Sequence, residues 1–222
     1  MILRENVVTL VLIVPGAAVR RYVQPAAQTL QARGVDTQLL AAPGEPGTFA
    51  DLRAYGEQLG QRLGGGPPVD LLIGLSVGAQ AAAIAAAATP PEQLRQLMLV
   101  SPTVDPQART APRLLARWLG GGRVEQPALL REQAPDWRRA GPRRLAALVR
   151  SALIVRIEDV LPDVAAALSV VHGENDLITS HAYAAQLAAD RGGTLLVLPR
   201  ATHSWPHADA DRFADTVQDV IR

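Results

Sequence analysis

The sequence predicts an α/β fold, a mostly parallel central sheet flanked by helices with a helical cap-like insertion. Three observations predict it. Short β-branched runs alternate with alanine- and leucine-rich stretches, the rhythm of strand–helix units. Those runs are apolar almost throughout, as strands buried on both faces must be. The 222 residues, 48 % hydrophobic and 19 % charged, suffice for one globular core.

Each element follows from local signals. Val7–Val14 is an apolar run closed by Pro15-Gly16 and reads as the first strand. It is too short to span a bilayer. A strand ending in a tight turn suits it better than a secretory leader, which makes the cytoplasm the expected location. Gln24–Arg33 has helical spacing and stops at Gly34. Val35–Ala42 is the second strand, and a Pro/Gly loop leads to a helix over Phe49–Leu63. Val69–Gly74 is the third strand, followed by a helix of small residues over Ala79–Ala88. Gln96–Ser101, Leu168–His172 and Thr194–Pro199 complete the strands. His181–Asp190 and Asp209–Ile221 are helices flanking the last of these.

The segment from about 104 to 166 breaks the rhythm. Only Ala152–Ile157 resembles a strand there, and ambiguously. The segment carries eleven arginines against seven acids and reads as a helical cap inserted into a single domain spanning 1–222. Its arginines fit a solvated helical surface better than a site for anionic groups. Leu114, Leu115, Trp118 and Leu119 are candidates either to line a pocket or to pack the cap onto the sheet.

Composition excludes several chemistries. There is no cysteine, hence no disulfide, thiolate nucleophile or cysteine metal site. All the positive charge is arginine, so neither a Schiff-base lysine nor a P-loop lysine exists. A formal net charge of +1 gives no reason to expect nucleic acid or an anionic membrane as partner. The four histidines lack metal-ligand spacing. No metal or organic cofactor is expected, and the oligomeric state is left open.

Chemistry concentrates at Gly74-Leu75-Ser76-Val77-Gly78, a G-x-S-x-G sequence between an apolar strand and a small-residue helix. A serine on so sharp a turn must adopt an unfavourable backbone conformation, and the glycines remove the Cβ atoms that would collide. The hydroxyl is then raised at a helix N-terminus, where developing negative charge is favoured.

With this motif in this setting, nearly the whole chain resembles the α/β-hydrolase superfamily. The resemblance implies a serine, acid and histidine in that chain order. Gly173-Glu174-Asn175-Asp176 resembles the family's acid turn, and Ala201-Thr202-His203 its histidine turn. The implied triad is therefore Ser76, Asp176 and His203. Glu174 and Asp105 compete for the acid's role, and His207 for the base's. His172 reads as a packed strand residue and His181 as an exposed helix residue. The resemblance also implies an oxyanion hole made by the N–H groups of Val77 and Ala17. Pro15 stands where the family usually has histidine, which departs from its pattern without removing the Ala17 donor.

The implied activity is hydrolysis of a carboxylic ester or thioester of a small-molecule acyl substrate, through an acyl-enzyme on Ser76. Acyl transfer to an acceptor other than water would use the same residues. A non-catalytic binding protein on this fold is the reading from another class.

Overall fold

The computed structural model describes residues 9–222. Six strands, β1 (Leu10–Val14), β2 (Asp36–Leu39), β3 (Val69–Leu75), β4 (Leu94–Val100), β5 (Ala167–Gly173) and β6 (Thr194–Leu198), form one sheet. Their order is β2-β1-β3-β4-β5-β6, and every neighbouring pair is parallel. Val7 and Val8 of the predicted first strand lie outside the described residues.

Side-chain alternation builds a core on each face of the sheet. Leu12, Val14, Leu72, Leu97 and Val170 point to one side. Val11, Ile13, Leu71, Ile73, Met98 and Val171 point to the other. The first core is roofed by α2 (Leu52–Gly64), α3 (Val77–Ala87) and α8 (His181–Ala189). The second is roofed by α1 (Gln24–Ala32) and α10 (Ala210–Ile221), with Trp205 from the single turn α9 (Trp205–Ala208). Small residues set the spacing between α2 and α3. A Cβ on Gly56 would lie 2.6 Å from that of Ile84, and one on Gly60 2.9 Å from the Ala85 carbonyl oxygen.

Two predicted boundaries shift for identifiable reasons. α2 starts at Leu52 because Asp51 caps it, accepting from the Ala54 N–H at 3.0 Å. The second strand ends at Leu39, not Ala42. Tyr55 donates to the Ala41 carbonyl at 2.6 Å, and the Ala42 N–H donates to Glu45 at 2.8 Å, which bends the chain out of the sheet.

Between β4 and β5 run α4 (Ala111–Gly121), α5 (Pro127–Ala140), α6 (Pro142–Ile154) and the short α7 (Ile157–Val160). Ala152–Ile157, the ambiguous candidate strand, is helical at both ends. Gln80 of α3 donates to the carbonyls of Ala152 and Val155 at 2.8 and 2.7 Å, fixing the bend between α6 and α7. Leu148, Ala152, Ile157 and Leu161 then join the first core. Among the described residues, no helix is long and apolar enough to cross a membrane.

Strand order also positions the site. From β1 the chain passes outward to β2, then returns to β3 on β1's other side. The loops after β1 and β3 therefore diverge at the carboxyl edge of the sheet and leave a crevice. Pro15-Gly16 and Ser76 lie at its two lips.

Candidate active site

Ser76 sits between β3 and α3 with φ 53° and ψ −119°, a conformation strained for any residue with a Cβ. Packing enforces it. A Cβ on Gly74 would lie 2.6 Å from the Ala79 Cα, and one on Gly78 would strike the carbonyls of Val14 and Pro15. Gly16 is close as well, since a Cβ there would lie 3.2 Å from that of Ser76. The loop after β1 thus closes directly on the serine.

A row of hydrogen bonds leads away from it. His203 Nε2 is 2.9 Å from Ser76 Oγ. His203 Nδ1 is 2.9 Å from Asp176 Oδ2 and 3.1 Å from Oδ1. Asp176 also accepts from the N–H groups of Ile178 and Thr179 at 2.8 and 2.9 Å. Its side chain is fully buried, and that of His203 is 9 % exposed. Gly173 lets the acid and histidine turns meet, because a Cβ there would lie 2.7 Å from the Thr202 carbonyl oxygen.

The electrostatics suit a buried base and its acid. Burial pushes the His203 pKa down, but the charge and hydrogen bond of Asp176, with a smaller contribution from Glu125, carry it above its ordinary value. Burial pushes Asp176 up. The facing imidazolium and the two backbone N–H groups outweigh that and hold its carboxyl below the usual range.

The competitors are occupied elsewhere. Asp105 pairs with Arg117 at 2.8 Å and accepts from the N–H groups of Gln107 and Ser180. Glu174 accepts from the Arg200 N–H at 2.8 Å. His207 Nδ1 lies 3.3 Å from the Tyr22 carbonyl and 3.5 Å from Glu132. His172 is buried in β5, with its ring 5.6 Å from that of the exposed His181, and burial lowers its pKa.

Val77 is the first residue of α3, so its N–H has no helical acceptor. Ala17 lies on the loop after β1. Among the described residues, neither amide donates to a protein acceptor. Backbone N–H groups without a protein acceptor can hold an anionic oxygen.

Sequence reasoning missed four neighbours. Tyr22 is buried with its hydroxyl beside Gly16, and burial drives its pKa well above the usual phenol value. Trp137 of α5 donates to the Ala17 carbonyl at 2.9 Å. Asp136 accepts from the N–H groups of Arg20 and Arg21 at 3.2 and 3.3 Å. Glu125 accepts from the Thr202 hydroxyl and the Ser204 N–H, both at 3.0 Å. Trp137, Asp136 and Glu125 act across long sequence separations that no local pattern marks. Of the pocket candidates, only Leu114 packs on the core. Leu115, Trp118 and Leu119 are 54 %, 42 % and 56 % exposed, with Trp118 edge-on to Trp137 at 5.7 Å.

A model of the alpha/beta hydrolase family matches residues 10–216. No curated protein matches the chain by sequence. Solved structures resemble it closely in fold. A hydrolase from Oleispira antarctica has a TM-score of 0.77 at 14 % identity, over 96 % of this chain and 90 % of that one. The enol-lactonase from Burkholderia xenovorans has 0.71 at 15 %, over 97 % and 92 %. A thermophilic esterase from Thermogutta terrifontis has 0.70 at 20 %, over 96 % and 89 %.

Proposed function

The chain belongs to the alpha/beta hydrolase family, and on that premise we propose that it is a serine hydrolase cleaving a carboxylic ester or thioester. The observation that carries this reading is the row Ser76–His203–Asp176 at 2.9 Å per link, on a strained turn beside two unpaired backbone donors. An esterase and an enol-lactonase among the similar structures make an ester the first bond to test.

His203 Nε2 takes the Ser76 proton as Oγ attacks the acyl carbonyl. Asp176 fixes the tautomer in which Nε2 is the acceptor and stabilises the imidazolium. The N–H groups of Ala17 and Val77 receive the oxyanion of the tetrahedral intermediate. Its collapse expels an alcohol or thiol, which leaves with the proton from His203. Water then gives a proton to His203 and attacks the acyl-enzyme. The acid is released, and Ser76 recovers its proton. The helices α4 and α5 are proposed to act as the cap over this site.

The test pairs labelling with turnover. A fluorophosphonate should modify the protein at Ser76, and p-nitrophenyl esters or acyl-CoA thioesters should be hydrolysed. Ser76→Ala should stay folded, lose the label and lose on the order of 10⁴-fold or more in turnover. Undiminished hydrolysis by that variant would sink the serine mechanism.

A further inference from the structure

Glu125 lies between α4 and α5, outside every sequence motif of the site. Its two carboxylate oxygens take separate donors, the Thr202 hydroxyl on one and the Ser204 N–H on the other, each at 3.0 Å. Those donors belong to the residues immediately before and after His203. The carboxylate therefore grips the histidine turn on both sides of the ring that reaches Ser76. Such charge-assisted bonds are roughly twice as strong as neutral ones.

The same stretch of chain grips the other lip of the crevice. Trp137 bonds the Ala17 carbonyl and Asp136 bonds the Arg20 and Arg21 amides. One segment thus holds both the turn that carries the base and the loop that carries an oxyanion donor.

We infer that Glu125 is a positioning residue, which holds the His203 imidazole against Ser76 and ties formation of the site to seating of the α4–α5 segment. The inference rests on the roles proposed above for Ser76 and His203. Unlike Asp176, Glu125 bonds the neighbours of His203 and works through them. Its charge also acts on the ring. The titratable groups that bear on His203 are Asp176 after β5, His172 within β5 and Glu125. The buried phenol of Tyr22 also feels the Glu125 charge. Asp176 and Glu125 favour the imidazolium, whereas a charged His172 would oppose it.

Glu125→Gln keeps the shape and removes the charge. The rate of Ser76 labelling by a fluorophosphonate, followed against pH, reads the basicity of His203 and its alignment together. In the variant the rising limb should move to lower pH, and the plateau should fall on the order of tenfold. A limb that stays in place overturns the inference, whatever happens to thermal stability, because a purely structural prop would not move it. Should the variant fail to fold, Thr202→Val replaces it. That change removes one of the two bonds and should also lower the plateau, and an unchanged plateau is the overturning result. If wild-type Ser76 takes no label at all, the hydrolase reading fails instead. Proton NMR titration of His203 in the resting protein still tests Glu125, with a lower midpoint in Glu125→Gln expected and an unchanged one refuting it.

Discussion

The helices between β4 and β5 fall into two pairs of similar composition and different attachment. The pair α6 and α7 is part of the core: Leu148, Ala152 and Ile157 are buried, and Gln80 reaches in from α3 to bond the Ala152 and Val155 carbonyls at the bend between them. The pair α4 and α5 buries Leu129 and Ala140 and adds polar latches, Arg117 on Asp105, Asp136 on the Arg20 and Arg21 amides, Trp137 on Ala17 and Glu125 on the histidine turn. It leaves Leu115, Trp118, Leu119, Val124 and Leu130 exposed. Apolar burial holds an element whatever its exact pose, whereas hydrogen bonds hold it only in register. The latches of the second pair reach the loops around Ser76 and His203, whereas the polar bonds of the first, Arg144 to the Gly44 and Glu45 carbonyls and Glu158 to Arg109, go elsewhere.

The sharpest contrast is between two buried aspartates. Asp176→Asn should cut kcat/KM by on the order of 10⁴-fold, because the amide can hold the wrong histidine tautomer. Asp105→Asn loosens the latch on α4 and should cost far less. Steady-state kinetics on a p-nitrophenyl ester reads both, and a larger loss at Asp105 would exchange their roles.

Next in size is a pair of core and surface truncations. Ile157 in α7 is fully buried, so Ile157→Ala should cost about 2–5 kcal/mol of unfolding free energy. Leu119 in α4 is 56 % exposed, and Leu119→Ala should stay within about 0.5 kcal/mol. Denaturant titration measures both. A large loss at Leu119 would place α4 in the core beside α7.

How much of this the sequence disclosed follows the same division. The sheet was legible because its central strands β1 and β3 are apolar on both faces, a signal carried within a few consecutive residues. Ser76 was legible because a strained turn demands glycine at fixed positions beside it. Asp176 and His203 could be picked out only through resemblance to a family, since Glu174, Asp105 and His207 are chemically equivalent as sequence. In space Asp105 bonds Arg117, whereas Asp176 lies against the His203 ring. Glu125 and Trp137 were invisible. Their partners lie 77 and 120 residues away in the chain, and nothing in a glutamate or a tryptophan announces such a bond.

The smallest effect is the pH dependence, and the structure supplies the sign that composition could not. The proposed mechanism needs His203 neutral in the free protein, because only the neutral ring accepts the Ser76 proton. Burial favours the neutral ring, but Asp176 and then Glu125 favour the charged one more, so the folded pKa stands above the ordinary histidine value near 6.5. Activity toward a neutral ester should accordingly rise through a single ionisation whose midpoint lies above about 6.5, then level off. Removing a contributor that raises the pKa must move the limb to lower pH. Asp176→Asn, which removes the largest such contributor, should move it further than Glu125→Gln, measured on whatever activity remains. The order of the two shifts compares a contact on the ring with a latch from the α4–α5 segment. Equal shifts would mean that Glu125 bears on the base as strongly as its own acid does, and a limb moving to higher pH in either variant would contradict the assigned signs.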